Sequence, residues 1–550
     1  MKTGLSVPLR VCDPRPPGIF PNNTGGSPVF RREIATVFSA PSLKRIQQLA
    51  DMLGVHLDEA EASIYREAAE EQLRAIHDFV RTPMDEQIPP VGFPGRTCGR
   101  IPTADEDPYD AWLWKCEFGG LQEGLLAGRT VGFKDHISVA GLPQTFASSA
   151  VDGLVSTCDA TVVSRVLAAG GRVIGKNSMS GFMDDLKHPV NPHNPLHTTG
   201  GSSSGSAVAV AIGDVDISFG GDQGGSVRIP AAYCGVLGLK PTFGLISHFG
   251  AGFGFEPSLD HIGPLTSTVQ DMARALESTA GFDSLDPRQG RDIPVKLEVL
   301  SALTTGVAGT RIGVLQEGFD EPVNPHVREG VLKAVQALRN EGAHVSTVSV
   351  PEHRSIGKIY AALALEGSRA TVDTVFYGAG AKTYYPAPEI TAMDQLWRDH
   401  LAEFPPRSIF SQLVAILSHQ DFHGAAYAKA HNVRPAIVRA YDAAFAEVDI
   451  LAMPTVRDVA PAIDEDPPGR LAAIEHDIRD RNWMSWPSTY NTKPANYTGH
   501  PALAIPCGKV DGLPISLQLV GRHGADALLL RAAYALQESV GFGSAVEPGA

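Results

Sequence analysis

The chain has 550 residues, of which 43% are hydrophobic and 19% are charged, and its formal net charge is −15. This length exceeds one ordinary globular core, so two or three structural units are expected. The acidic balance argues against binding to nucleic acid or to anionic lipid, because it leaves no basic surface for either.

The sequence predicts neither a secretory signal nor a membrane-spanning helix. The first twelve residues, MKTGLSVPLRVC, lack the apolar core of a secretory signal, and no apolar run approaches the ~20 residues that span a bilayer. Six cysteines without a CxxC pair favour reduced thiols. Together these features predict a cytoplasmic protein.

The N-terminal part predicts an extended arm followed by a small helical cap. Residues 1–30 are rich in Pro and Gly, as an arm would be. Apolar residues recur at helical spacing over 43–53, Gly54 ends that helix, and a second helix is predicted over 58–80. The Pro- and Gly-rich stretch 88–95 is a candidate linker.

Beyond residue 110, short apolar runs alternate with Gly-rich turns and Ala-rich helices, which predicts an α/β protein. A βαβ unit is predicted from a strand at 311–316, a helix that begins at Asn324-Pro325, and a strand at 344–350. The other predicted elements are strands at 126–133, 172–175, 449–454 and 502–507, a buried helix at 202–213, and mainly helical structure over 355–445.

Three segments carry candidate chemistry. VGFKDH ends a predicted strand with Lys134, GGSSSGS (200–206) opens the buried helix, and GDQGGSVRIP (221–230) delivers Ser226 after a glycine turn. A serine nucleophile needs a base within hydrogen-bond reach. Lysine can act as that base only when it is neutral, and burial favours its neutral form.

The second glycine turn is also a candidate oxyanion hole. In Gln223-Gly224-Gly225-Ser226, consecutive backbone amides can point at one oxygen, and each donor of this kind lowers a barrier by ~3–4 kcal/mol. The combination predicts acyl transfer through a tetrahedral intermediate.

Long motifs around these segments resemble a known family. Residues 199–242 (TGGSSSGSAVAVAIGDVDISFGGDQGGSVRIPAAYCGVLGLKPT) closely resemble the amidase signature, and VGFKDHISVAG (131–141) resembles that family's lysine segment. Further resemblances are VIGKN (173–177), SLDHIGPL (258–265), NYTGHPALAIPCG (496–508) and GLPISLQLVG (512–521). The likeness covers roughly 110–280 and 445–540. It implies the amidase-signature fold, an α/β fold with a large mixed central sheet covered by helices.

The resemblance implies a Ser-cisSer-Lys triad. Lys134 matches the catalytic lysine, Ser202 matches the serine that follows a cis peptide bond and relays a proton, and Ser226 matches the acylated serine. The oxyanion loop is implied at Gln223, Gly224 and Gly225, and substrate binding at Met183 and Phe182. No metal or organic cofactor is implied.

Two details resemble one subgroup of the family. Asp222-Gln223 replaces the commoner Asp-Thr pair, and NPHNP (191–195) precedes the first glycine turn. With the helical cap, these features resemble the amidases that work alongside nitrile hydratases and hydrolyse primary amides. GKNSMS (175–180) departs from the usual family segment, so the substrate can differ from a simple amide.

The predicted organisation has four parts. They are the arm and helical cap (1–90), the amidase core with the triad (91–300), an inserted small α/β and helical region (301–440), and the C-terminal part of the core (441–550). A small-molecule amide is the expected partner, without nucleic acid or membrane, and the cap is a candidate dimer surface.

Several alternatives stay open. GSSSG also fits GxSxG with Ser203 as nucleophile, and the group His188, His193 and His197 suggests a metal, although prolines separate these histidines. The same triad could cleave anilides, esters or carbamates. The remaining alternatives are a catalytically silent binding protein and an amidotransferase A-type subunit.

Overall fold

The computed structural model describes residues 38–181, 183, 186–252, 256–290, 292–320, 322–374, 381–465, 467–481 and 487–542. These residues fall into two compact units, which meet in sequence between Ile88 and Pro89. Their helices are too short or too polar to cross a membrane.

The smaller unit contains two helices, α1 (Leu43–Met52) and α2 (Glu59–Arg81), as the sequence predicts. Asp58 begins α2 with a capping box, in which its side chain accepts from the Glu61 amide and the Glu61 side chain accepts from the Asp58 amide. Ala50, Leu57 and Ala62 form the small buried core between the helices.

The larger unit is built on one mixed sheet of eleven strands, with spatial order β1-β3-β2-β4-β6-β5-β10-β11-β9-β7-β8. The strands are β1 (Trp112–Gly119), β2 (Thr130–Lys134), β3 (Arg172–Asn177), β4 (Ile217–Asp222), β5 (Leu237–Lys240), β6 (His261–Thr266), β7 (Arg311–Leu315), β8 (His344–Val348), β9 (Ile450–Pro454), β10 (Ala502–Val510) and β11 (Leu513–Gly521). The predicted large mixed sheet is confirmed.

Helices cover this sheet. They are α3 (Thr161–Ala168), α4 (Ser204–Ala211), α5 (Arg228–Cys234), α6 (Val269–Thr279), α7 (Pro325–Asn340), α8 (Ile356–Asp373), α9 (Ala387–Asp399), α10 (Pro406–Phe422), α11 (Ala425–Glu447), α12 (Arg470–Arg479), α13 (Lys493–Thr498) and α14 (Asp526–Val540). Every residue of α4 is buried, which explains its small side chains.

Strand β2 lies between β3 and β4 and is parallel to both, so Lys134 is at the carboxyl end of a strand inside the sheet. The strand begins at Thr130, later than the predicted residue 126, because Gly124 and Gly128 have positive φ and form turns.

The predicted βαβ unit is present as β7, α7 and β8. Its strands extend the main sheet, because β7 pairs with β9 and β8 pairs with β7, both in parallel. The region 301–440 therefore contributes to the same sheet as the residues that flank it.

The expectation of reduced thiols is wrong at one position. Cys98 is disulfide-bonded, whereas four other cysteines of the described chain are free: Cys116, Cys158, Cys234 and Cys507. The cysteines are widely spaced and form no CxxC pair, so the sequence pattern does not predict this disulfide.

Candidate active site

Lys134 is buried at the end of β2, and its Nζ lies 2.6 Å from Ser202 Oγ. Burial lowers the pKa of Lys134 from 10.5 to about 7, although the carboxylates of Asp260 and Asp222 act to raise it. At neutral pH a substantial fraction of this amine is therefore uncharged and able to accept a proton from the serine hydroxyl.

Ser202 lies in the glycine turn before α4, and the Gly201–Ser202 peptide bond is cis. The Ser202 carbonyl accepts a hydrogen bond from the Ser180 amide at 3.1 Å. This turn is tied to the segment that follows β3 and holds the hydroxyl beside the lysine.

Ser226 lies in the turn between β4 and α5 and is partly buried. Its carbonyl accepts from the Ser203 amide at 3.1 Å, which joins the two serine-bearing turns. The preceding Gly225 has φ +130°, and a Cβ there would collide with Thr492 Oγ1, so this position requires glycine.

A buried ion pair supports the turn that carries Ser226. Arg228 Nη2 lies 3.0 Å from Asp222 Oδ1, and both side chains are fully buried. Burial alone would raise the pKa of Asp222, but Arg228 holds it well below its usual range. The Asp222 carboxylate also accepts from the Val227 amide at 3.2 Å, so it organises the whole turn.

The amides of this turn divide into two groups. Gly225 N–H donates to Asp222 Oδ1 at 2.9 Å, so in this structure its proton is engaged within the turn. Within the described chain, the Gln223 and Gly224 amides donate to no other atom. Their carbonyls accept from Tyr360 Oη at 2.7 Å and from Thr492 Oγ1 at 2.6 Å, respectively.

The predicted substrate residues are less well defined. Met183 Sδ accepts a hydrogen bond from Ser148 Oγ at 2.8 Å, which places Met183 beside the loop that follows β2. Phe182 lies outside the described residues.

The alternative nucleophile, Ser203, is fully buried, and its hydroxyl donates to the Gly221 carbonyl at 3.2 Å. Of the three loop histidines, His193 contacts the Cys234 carbonyl through Nε2 and His197 contacts the Ala460 carbonyl through Nδ1. These contacts give Ser203, His193 and His197 structural roles.

Three supporting residues were missed from the sequence. Asn496 Nδ2 donates to the Asp222 carboxylate at 2.9 Å, and Tyr360 and Thr492 hold the carbonyls of the oxyanion loop. Asn496 opens the NYTGHPALAIPCG motif, which could have marked it. Tyr360 and Thr492 lie in segments without such a motif.

The fold and the site are those of an amide-hydrolysing enzyme, and comparison with known proteins gives the family. The family model described as Amidase matches residues 113–530, which is more than half of the chain. The chain is also 35% identical over 456 residues to an enantioselective amidase of Rhodococcus rhodochrous, covering 80% of this chain and 85% of that protein. The chain therefore belongs to the amidase signature family.

Two solved structures are similar. The A-type subunit of the glutamyl-tRNA(Gln) amidotransferase from Thermotoga maritima has a TM-score of 0.64 and 29% identity, covering 81% of this chain and 92% of that chain. The native peptide amidase of Stenotrophomonas maltophilia has a TM-score of 0.63 and 28% identity, covering 78% and 85%. The similar proteins thus include both amidases and an amidotransferase subunit.

Proposed function

We propose that this enzyme hydrolyses carboxylic amides to a carboxylate and ammonia or an amine through an acyl-enzyme on Ser226. The observation that carries the proposal is the 2.6 Å contact between Lys134 Nζ and Ser202 Oγ, with the amine buried and its pKa lowered to about 7. A buried neutral amine beside a hydroxyl is the arrangement that general-base activation of a serine requires.

In the proposed mechanism, neutral Lys134 accepts a proton from Ser202, which accepts one from Ser226. Ser226 Oγ then attacks the amide carbonyl. The amides of Gln223 and Gly224 donate to the developing oxyanion. The proton returns to the leaving nitrogen, the amine departs, and water cleaves the acyl-enzyme by the reverse proton path.

The nucleophile is tested with Ser226→Ala, which we expect to fold normally and to lose amide turnover and labelling by a fluorophosphonate. Ser204→Ala is the matched control, because Ser204 is a buried serine at the start of α4. The Ser204→Ala variant should keep both amide turnover and labelling by the fluorophosphonate. Turnover by Ser226→Ala, or label attached elsewhere, would refute the assignment.

Primary amides are the proposed substrates, and two relatives, an enantioselective amidase and a peptide amidase, support amide substrates in general. Benzamide, acetanilide, a phenyl carbamate and a phenyl ester form a suitable panel, with release of ammonia, aniline and phenol as the readouts. Faster turnover of the anilide, carbamate or ester than of benzamide would reassign the substrate class.

A second candidate is an amidotransferase A-type subunit, favoured by the likeness to the Thermotoga maritima protein. Two features argue against an amidotransferase subunit. Gln223 stands in the turn where the commoner pair has a threonine, and the chain carries an N-terminal helical unit. Purification from the native cell distinguishes the two, because an amidotransferase component would co-purify with fixed partner proteins. The amidase proposal expects activity from the isolated chain.

A further inference from the structure

Asp442, His500 and His523 converge from three separate segments that the proposed mechanism does not use. Asp442 lies in α11, His500 lies between α13 and β10, and His523 lies between β11 and α14. One ligand atom from each of these side chains lies within 4.8 Å of the others. His500 is fully buried, and Asp442 is half-exposed, so the cluster is accessible from solvent on one side.

Hydrogen bonds are compatible with the metal-binding tautomer of His500. When Thr498 Oγ1 donates its single proton to the Pro494 carbonyl at 2.9 Å, it accepts from His500 Nδ1–H at 2.8 Å. In that tautomer His500 Nε2 carries a lone pair, and Asp442 Oδ1 lies 3.4 Å from it. Two acceptor atoms then face each other, an arrangement that a shared cation stabilises.

A hydrogen bond fixes the tautomer of His523. Its Nε2 lies 2.9 Å from the Thr498 carbonyl, which can only accept, so Nε2 bears the proton and Nδ1 carries the lone pair. The two imidazole rings stack with centroids 4.1 Å apart. Gly499, with φ +81°, permits this approach, since a Cβ there would lie 3.2 Å from His523 Nε2.

We propose that Asp442, His500 and His523 bind a divalent first-row metal ion such as Zn²⁺. Two imidazole nitrogens and one carboxylate suit Zn²⁺, whereas Mg²⁺ and Ca²⁺ prefer oxygen ligands alone. Thr498 supplies the hydrogen bonds behind both histidines, the usual support for metal-binding imidazoles. The ion would join α11 to the segments that flank β10 and β11.

The test uses the full chain, freed of metal by a chelator and titrated with Zn²⁺ against a chromophoric competitor. We expect one Zn²⁺ per chain and a raised Tm with Zn²⁺ present. Asp442→Asn and His523→Ala should each lower the affinity at least about tenfold, and Thr498→Val should lower it about 10- to 100-fold. Visible absorption bands of bound Co²⁺ should be lost in His523→Ala.

His476→Ala is the matched control, because His476 Nδ1 also contacts a carboxylate, Asp480 at 2.9 Å, but has no second imidazole beside that pair among the described residues. It should leave Zn²⁺ affinity unchanged. Circular dichroism verifies the fold of each variant, and Asp442→Asn, at a half-exposed position, keeps the test valid if His523→Ala misfolds. Absence of micromolar Zn²⁺ binding, or unchanged affinity in Asp442→Asn, would overturn the proposal.

Discussion

Lys134, the proposed general base, lies where a charge is unfavourable. Its amine is fully buried, and its pKa is lowered to about 7 by that burial. Below this pH the ammonium form, which cannot accept a proton, predominates, so in the proposed mechanism the protonation state of this side chain sets the fraction of active enzyme.

We expect kcat/KM for amide hydrolysis to rise with pH through about 7 and then to level off, because the neutral form of Lys134 in the free enzyme is the proposed base. The measurement is a kcat/KM profile from pH 5 to 9 at substrate concentrations well below KM. A profile that is flat from pH 5 to 8 would contradict the role of Lys134.

Lys134→Met should abolish activity and raise stability. The folded state disfavours the ammonium form, so between pH 7 and 10.5 the unfolded chain binds more protons and wild-type stability rises with pH. The increase in the free energy of unfolding of the variant should therefore be largest below pH 7, on the order of 1–3 kcal/mol once the lost hydrogen bond to Ser202 is subtracted. This increase should vanish near pH 10.5, where the ammonium form is no longer favoured in the unfolded chain. Denaturant unfolding at pH 6.5 and 9.5 measures this difference, and equal gains at both values would contradict it.

At the scale of elements, the turn between β4 and α5 depends on the Asp222–Arg228 pair. Arg228 also donates to Gln518 Oε1 at 2.8 Å and to Asn496 Oδ1 at 2.7 Å. These contacts connect the turn to β11 and α13, so a single guanidinium holds three elements in place.

Arg228→Met should lower stability by about 3–5 kcal/mol, because it leaves the buried Asp222 carboxylate uncompensated. It should also lower kcat more than it changes KM, because the oxyanion loop loses its support. Arg96→Met is the control, since Arg96 forms another buried ion pair, with Asp159. That variant should lose stability while its kcat is maintained in conditions where it is folded.

The sequence predicts those parts of the site that lie within one contiguous motif, and it does not predict contacts between residues that are far apart in the chain. The segments around Lys134, Ser202 and Ser226 are contiguous motifs, so each could be located in the sequence, and the structure brings the first two side chains into contact. The Gly225 amide was expected to face substrate, but its partner depends on the Asp222 side-chain conformation. Tyr360 contacts the loop from 137 residues away, which no local pattern encodes.

At the scale of the whole molecule, the N-terminal helical unit carries several large apolar side chains that are exposed. Tyr65, Ile76 and Phe79 of α2 are each more than half exposed. The family match starts at residue 113, after this unit ends. We propose that the exposed side chains mediate a homodimer and take no part in catalysis.

Ile76→Glu should convert the dimer into a monomer, because a charge on that face opposes its burial, and kcat should stay within about twofold. Light scattering after size exclusion measures the mass. Val295→Glu is the control, since Val295 is an equally apolar and highly exposed residue of the larger unit. A monomeric wild-type chain would refute the dimer.

The hydroxyl of Tyr360 has a consequence for engineering. It belongs to α8, outside the motifs that carry the resemblance to the family, yet it donates to the carbonyl of Gln223. A chimera that replaces residues 356–373 by a segment without a tyrosine at position 360, in order to alter what the enzyme accepts, would remove this hydrogen bond to the proposed oxyanion loop. We therefore expect such chimeras to keep their rate better when they retain that tyrosine.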